Sequence, residues 1–224
     1  MPLFTQCLNF CLLSVTICPS IPMQAIFGKG SSGYGFNLVA FLKAVLVYYV
    51  IALAGTYLMT PQLNLSFGPI GWKVIVMGLG LSVLILVVEV LFLHLMRCWK
   101  KRQWFKLTIS FVGTTGEWKN LIYPLLLAIC EEVTYRLLWF NILLVQWQLP
   151  LAAVLAITSF CYALNHVLMG RSIFYAKLVT GVIYGSLYYV TGSLWLVIIA
   201  HVGSNLLVEC LSHLQTRQTK VVAK

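Results

Sequence analysis

The sequence is short of acidic residues and of charge in general. Only 5 of its 224 residues are Asp or Glu, and charged residues make up 9% of the chain, whereas hydrophobic residues make up 61%. A soluble domain typically carries about 25% charged residues. This composition offers too little polar surface to cover a globule in water, so it predicts an integral membrane protein in contact with the lipid bilayer.

The sequence also lacks the patterns of other protein classes. Its seven cysteines form no CxxC pair, so we expect no disulfide framework and no zinc–thiolate site. The formal net charge is +10, but no nucleic-acid-binding motif is present, and we expect no nucleic acid as partner. The apolar runs are longer and more uniform than the roughly 10-residue alternating strands of a membrane β-barrel, so they favour helices.

These apolar runs predict about six transmembrane helices, over residues 36–59, 74–96, 120–146, 150–169, 173–191 and 194–213. The predicted fold class is therefore all-α, a polytopic bundle of transmembrane helices. Residues 1–35 are an apolar N-terminal segment, interrupted by Pro19 and Pro22, with a linker, GKGSSGYG. Whether residues 1–27 span the membrane stays open.

The remaining domain boundaries follow from these runs. Residues 36–118 hold two helices and a basic loop containing RCWKKRQWFK, residues 119–213 hold the other four helices, and residues 214–224 form a basic tail. With the loop in the cytoplasm, only Lys73 among the basic residues between spans falls outside. We therefore expect a multi-pass protein whose basic loop and C-terminus are cytoplasmic. The sequence does not indicate an oligomeric state.

Ionisable residues interrupt several predicted spans, where each costs about 2.5 kcal/mol or more unless it faces protein or water. Those well inside the spans are Glu89, Glu131, Glu132, Arg136, His166 and His201. Three of the last four helices carry at least one, so we expect those helices to pack around a shared polar cavity.

The stretch CEEVTYR, residues 130–136, places two glutamates side by side. Glu132 and Arg136 are four residues apart, on one face of a helix, where they can pair. Glu131 is rotated from Glu132 by about 100° and faces other neighbours. One interpretation is that Glu132 is structural and Glu131 reactive, and the other is that all three residues are structural.

Two further helices carry polar pairs with the same spacing. Tyr162 and His166 are four residues apart, as are His201 and Asn205. A single His in an apolar helix is often only a packed core residue, but two His and a Glu on separate helices form a more specific combination. His166 lies much closer to its predicted inner boundary than Glu131 does, which is a mismatch in depth.

The three motifs, EExxxR over 131–136, YxxxH over 162–166 and HxxxN over 201–205, resemble those of the CAAX protease and bacteriocin-processing (Abi, CPBP) family of intramembrane proteases. The resemblance covers about 119–213, which would be the catalytic helical core. The second motif usually begins with Phe, and Tyr162 keeps the ring while adding a hydroxyl.

The resemblance implies an endopeptidase that hydrolyses a peptide bond of a membrane-associated or prenylated substrate. Glu131 and His166 would hold and deprotonate a water, while His201 and Asn205 would donate to the developing oxyanion. The expected catalytic residues are Glu131, His166, His201 and Asn205, and the expected supporting residues are Glu132, Arg136 and Tyr162.

Zinc is the alternative to a metal-free mechanism, because the family is often described as metalloproteases. A zinc site would use Glu131, His166 and His201, a combination known from catalytic zinc enzymes. However, HExxH is absent, and Glu132 would then have to act as the base and leave Arg136. We therefore expect no metal cofactor.

Other functions are compatible with parts of the pattern. Ser204, Cys130 and Cys161 lie near the motifs, but they are expected to pack rather than react. A non-catalytic membrane scaffold or bacteriocin-immunity protein would need the polar residues only for packing. A proton-coupled transporter would use them as a relay, but the chain is short and shows no repeats with broken helices.

Overall fold

The computed structural model describes residues 3–27, 37–60, 66–107 and 121–222, with side chains up to residue 214. These residues form an all-helical structure with no strands. Its eight α-helices are α1 (Leu3–Thr16), α2 (Ser20–Phe27), α3 (Leu38–Met59), α4 (Trp72–Lys101), α5 (Ile122–Glu132), α6 (Leu151–Leu164), α7 (Arg171–Thr191) and α8 (Leu194–Val222). The all-α class predicted from the sequence is confirmed for this part of the chain. The predicted linker at 28–35 and the part of the basic loop from residue 108 to 118 lie outside the described residues.

Four helices are long and apolar enough to cross a membrane: α3, α4, α7 and the Leu194–Leu214 part of α8. The pair α1 and α2, bent by 50°, is a fifth candidate if both helices form one span. Four to five candidate spans indicate a multi-pass membrane protein. Four of the six spans expected from the sequence therefore correspond to spanning helices among the described residues.

The other two predicted spans differ from expectation. Helix α5 continues beyond Glu132 with π-helical winding over Val133–Leu138 and Asn141–Gln146. Helix α6 ends at Leu164 after 14 residues, about 21 Å at 1.5 Å per residue, which is short of the roughly 30 Å hydrocarbon layer. The chain then turns through a short 3-10 helix, Val167–Met169.

Local sequence signals explain several helix ends. The Asn37 side chain accepts a hydrogen bond of 3.0 Å from Ala40 N, which caps the start of α3. Gly192 ends α7 with φ of +61°, a left-handed conformation that glycine adopts without steric cost. Pro150 precedes the first residue of α6 in extended conformation, where its missing N–H costs nothing.

Helix α5 and its π-helical continuation lie at the centre of the bundle. The core around it joins Tyr135, Trp139 and Ile142 to Val154 and Tyr162 of α6. Helices α6 and α7 approach each other closely at Gly181 of α7, where an added Cβ would lie 3.0 Å from Ser159 Cβ. This close packing brings α6, α7 and α8 around the polar part of α5.

Candidate active site

The two adjacent glutamates of α5 occupy different surroundings. Glu131 lines a cavity of about 850 Å³, and its residue exposure is 8%, whereas Glu132 is 0% exposed and does not line that cavity. The rotation of about 100° between successive residues of a helix produces this division.

Glu132 lies between a cation and an imidazole. Arg136 Nε lies 3.2 Å from Glu132 Oε2, so the ion pair predicted from the four-residue spacing is present. His201 Nδ1 lies 2.6 Å from the other oxygen, Oε1. Arg136 also donates from Nη2 to the Gly181 carbonyl at 3.1 Å. These contacts join α5 to α7 and α8.

Two tyrosine rings enclose the same cluster. The Arg136 guanidinium lies 4.7 Å from the Tyr162 ring centroid and 5.5 Å from that of Tyr184. His201 stacks on Tyr184 at 4.9 Å between centroids. Cation–π contacts of this kind stabilise a buried guanidinium, and both rings are themselves buried.

The contacts of His201 define its protonation pattern. A carboxylate can only accept, so Nδ1 carries a proton and donates to Glu132. The other ring nitrogen, Nε2, lies 3.9 Å from Glu131 Oε2 and 3.4 Å from the Tyr162 hydroxyl. His201 therefore connects the two glutamates, and Nε2 donates only when the ring is an imidazolium.

The cavity is mostly apolar, with a polar group of side chains at one side. Glu131, His166 and Asn205 line it together, so three of the four residues expected to be catalytic share one space. His201 does not line the cavity and lies behind Glu131. The apolar walls come largely from Phe41, Leu42, Val45, Leu127, Ile173 and Val208.

His166 follows the end of α6 and stands in the turn, not on the helix. The fourth span predicted over 150–169 therefore ends earlier than expected, and His166 lines the cavity from the turn. Its Nδ1 lies 3.2 Å from the Tyr162 carbonyl. A carbonyl only accepts, so Nδ1 is the donor and Nε2 is left as the acceptor of the ring.

Asn205 is one helical turn beyond His201 on α8. Its Nδ2 donates to the Pro124 carbonyl at 3.5 Å, and an amide nitrogen carries a second proton. The helical spacing therefore places a second donor near His201, on the cavity side.

We tested whether the possible zinc residues fit a metal. Within the described ranges, no group of three His, Cys, Asp or Glu side chains is arranged to hold a metal ion. Nδ1 of His201 is engaged by Glu132 and Nδ1 of His166 by a carbonyl, so Nε2 is the ring nitrogen that each residue has left for a water or another ligand. We derive no step through a metal.

Some residues at the cavity were not identified as site residues from the sequence. Lys177 of α7 lies 2.9 Å from both carboxylate oxygens of Glu89 on α4, and both line the cavity. Asn165 also lines it. The signal that could have found the pair was a cation and an anion, each inside a predicted span, because such charges need a partner.

A buried cluster of two glutamates and a histidine, beside a cavity in a helical membrane bundle, is consistent with a catalytic site. Comparison with protein-family models matches residues 113–207 to the family described as type II CAAX prenyl endopeptidase, Rce1-like. The chain thus contains a domain of the Rce1-like type II CAAX prenyl endopeptidase (CPBP/Abi) family, and this membership suggests a membrane endopeptidase. Searches of curated proteins and of solved structures gave no match.

Proposed function

We propose that this protein is an intramembrane endopeptidase that hydrolyses a peptide bond of a membrane-associated or prenylated protein. The observation that carries the proposal is the division of the two glutamates. Glu131 shares a cavity with His166 and Asn205, while Glu132 is sealed behind it by Arg136 and His201. One carboxylate is thus available to a substrate and the other is not.

In the proposed reaction, a water lies between Glu131 and His166. Nε2 of His166 accepts a hydrogen bond from the water, and the Glu131 carboxylate takes its proton as the oxygen attacks the peptide carbonyl. The proton then passes to the leaving nitrogen as the C–N bond breaks. The products are a carboxylic acid and an amine, and Glu131 returns to its starting state.

The developing oxyanion needs donors. We assign this role first to the second proton of the Asn205 amide, because Asn205 lines the same cavity as Glu131. His201 does not line the cavity, so its Nε2 would assist from behind Glu131, where it lies 3.9 Å from Oε2, and it would donate only as an imidazolium. Glu132, Arg136 and the ring of Tyr162 would hold His201 in place.

The cavity also supports an orientation for the protein. Its lining comes from the first half of α3 and α7, from the second half of α4, from most of α5 and from the middle of α8, so it lies toward the end of the bundle where α4 ends and where α3 and α7 begin. That end carries Arg97, Lys100, Lys101 and Arg171, whereas Lys73 begins the opposite end of α4. By the positive-inside rule, we propose that the cavity faces the cytoplasm, and that α5 and α6 complete about six membrane crossings.

We further propose that the reaction needs no metal, because a zinc site would remove Glu132 from its contact with Arg136 or leave the metal without a separate base. Chelation is the direct test. Activity that is lost with chelator and restored by added zinc would overturn this part of the proposal.

The test uses purified full-length protein in nanodiscs with a quenched prenylated CAAX peptide and a small panel of hydrophobic peptides. Wild type is compared with Glu131→Gln and His166→Ala, each with and without chelator. We expect cleavage by wild type that survives chelation and is lost in both variants. Wild-type protein that binds these peptides but cleaves none would favour the non-catalytic scaffold or immunity function instead.

A further inference from the structure

We propose that the bent pair of helices α1 and α2 is part of the active site, although it precedes the matched domain over 113–207. The pair holds the turn that carries His166, through Asn165, and presents Gln24 to the substrate. The role of Gln24 rests on the proposed endopeptidase function, whereas the role of Asn165 is a property of the fold and can be tested without activity.

Asn165 is the centre of a buried hydrogen-bond network. Its Oδ1 accepts from the backbone N of Ser20 at 3.3 Å and from the Ser20 hydroxyl at 3.0 Å. Its Nδ2 donates to the hydroxyl of Tyr135 at 2.5 Å and of Tyr49 at 3.3 Å. One amide side chain therefore joins the start of α2 to α3 and to the π-helical part of α5.

The bend between α1 and α2 is attached to the same network. The Tyr135 hydroxyl donates toward the carbonyls of Thr16 and Ile17, each at 3.2 Å. Trp139 Nε1 donates to the Thr16 hydroxyl at 2.9 Å. Because α1 ends at Thr16 and α2 begins at Ser20, these contacts fix the bend itself against the core.

The network affects the site because Asn165 directly precedes His166 in the chain. Helix α6 ends at Leu164, and His166 bonds to the end of that helix through its N to the Ala163 carbonyl at 2.9 Å and through Nδ1 to the Tyr162 carbonyl at 3.2 Å. A shift at Asn165 is therefore expected to move the imidazole within the cavity that Glu131 also lines. In an active site, a displacement of about 1 Å can cost about 100-fold in rate.

Gln24 supplies the contact with substrate. Helix α2 contributes Ser20 and Gln24 to the cavity lining, and Gln24 Oε1 is buried without a hydrogen-bond partner among the described residues. A buried acceptor of this kind is costly unless a donor arrives. The backbone N–H of an extended peptide beside Glu131 is a donor of the right kind.

The test separates the two roles by kinetics. Asn165→Ala should lower kcat by about 100-fold with little change in KM. Gln24→Leu should raise KM by about 10-fold with little change in kcat. The matched control is Asn9→Ala, which removes a contact between the Asn9 and Gln146 side chains and leaves the contacts of Thr16, Ile17 and Ser20 at the bend in place. It should retain wild-type kinetics.

Amide hydrogen exchange over residues 165–169 provides a readout that does not depend on catalysis. Asn165→Ala and the milder Ser20→Ala should speed exchange there, and Asn9→Ala should not. Unchanged exchange in both variants, or equal acceleration by Asn9→Ala, would overturn the positioning role. Unchanged KM in Gln24→Leu would overturn the substrate contact. Wild-type protein that cleaves nothing would defeat the proposed function, while the exchange result would still decide the role of Asn165.

Discussion

The two adjacent glutamates of the CEEVTYR stretch lie on different faces of α5, and they differ in how closely charged or polar side chains approach them. On the sealed side, Glu132 has an arginine and a histidine within 3.2 Å. On the cavity side, the nearest cation or imidazole contact of Glu131 is His201 Nε2 at 3.9 Å. Both side chains are buried, so burial alone does not separate them.

The comparison shows what makes one buried carboxylate structural and its neighbour available for chemistry. Glu132 is out of reach of a cavity water because it is 0% exposed and does not line the cavity, and removing its cationic partner would leave an uncompensated buried charge. A carboxylate beside a cavity keeps acceptor capacity for a water. We expect the two sides to respond differently to substitution, and three experiments can break or sharpen this difference.

The largest expected effect is on catalysis at Glu131. Glu131→Gln keeps shape and hydrogen-bonding atoms but cannot take a proton, so we expect kcat to fall by about 10³-fold or more, with the melting temperature nearly unchanged. Steady-state cleavage and thermal unfolding in the same nanodiscs measure both. A variant that unfolds early and loses activity in proportion would show that Glu131 is as structural as Glu132.

A large effect on the free energy of unfolding is expected when the buried partner of Glu132 is removed. Arg136→Met removes the cation beside Glu132, and breaking a buried pair costs about 3–5 kcal/mol. The free energy of unfolding, measured by denaturant titration in detergent, should fall by an amount of that order. Glu131→Gln is the matched variant on the cavity side. Equal losses of unfolding free energy in the two variants would contradict the distinction between a structural Glu132 and a reactive Glu131.

The smallest effect is expected at Tyr162, where this sequence departs from the family pattern. Its hydroxyl is 3.4 Å from His201 Nε2, near the limit for a hydrogen bond, and Tyr162→Phe keeps the ring against Arg136. We expect less than about a 10-fold change in kcat. Tyr162→Leu, which loses the ring, should cost more. A larger loss from the Phe variant would make the hydroxyl a required partner of His201.

The sequence predicted those parts of the site that depend on local helical geometry. The pairing of Glu132 with Arg136 and the separate face of Glu131 both follow from the number of residues per turn. The helical class followed from the length and uniformity of the apolar runs. These predictions needed no knowledge of how the helices pack.

The remaining contacts depend on packing between distant segments. His201 meets Glu132 across 69 positions of sequence, and Lys177 meets Glu89 across 88; no spacing rule connects such residues. The early end of α6 was missed for a related reason. Asn165, just beyond the helix, bonds through its side chain to Ser20, Tyr49 and Tyr135, and these partners come from three other segments of the chain.

The π-helical winding after Glu132 has a consequence for how the chain tolerates insertions and deletions. A π-helical turn holds one residue more than an α-helical turn between bonded groups. Deleting one residue between Val133 and Leu138 would therefore let this segment return to α-helical winding, with the residues beyond it still on their present faces. Trp139 would then stay at Thr16, and Glu131 and Glu132 would keep their places. The π-helical winding thus lets the segment between the two glutamates and the docking site of the N-terminal pair tolerate the loss of one residue.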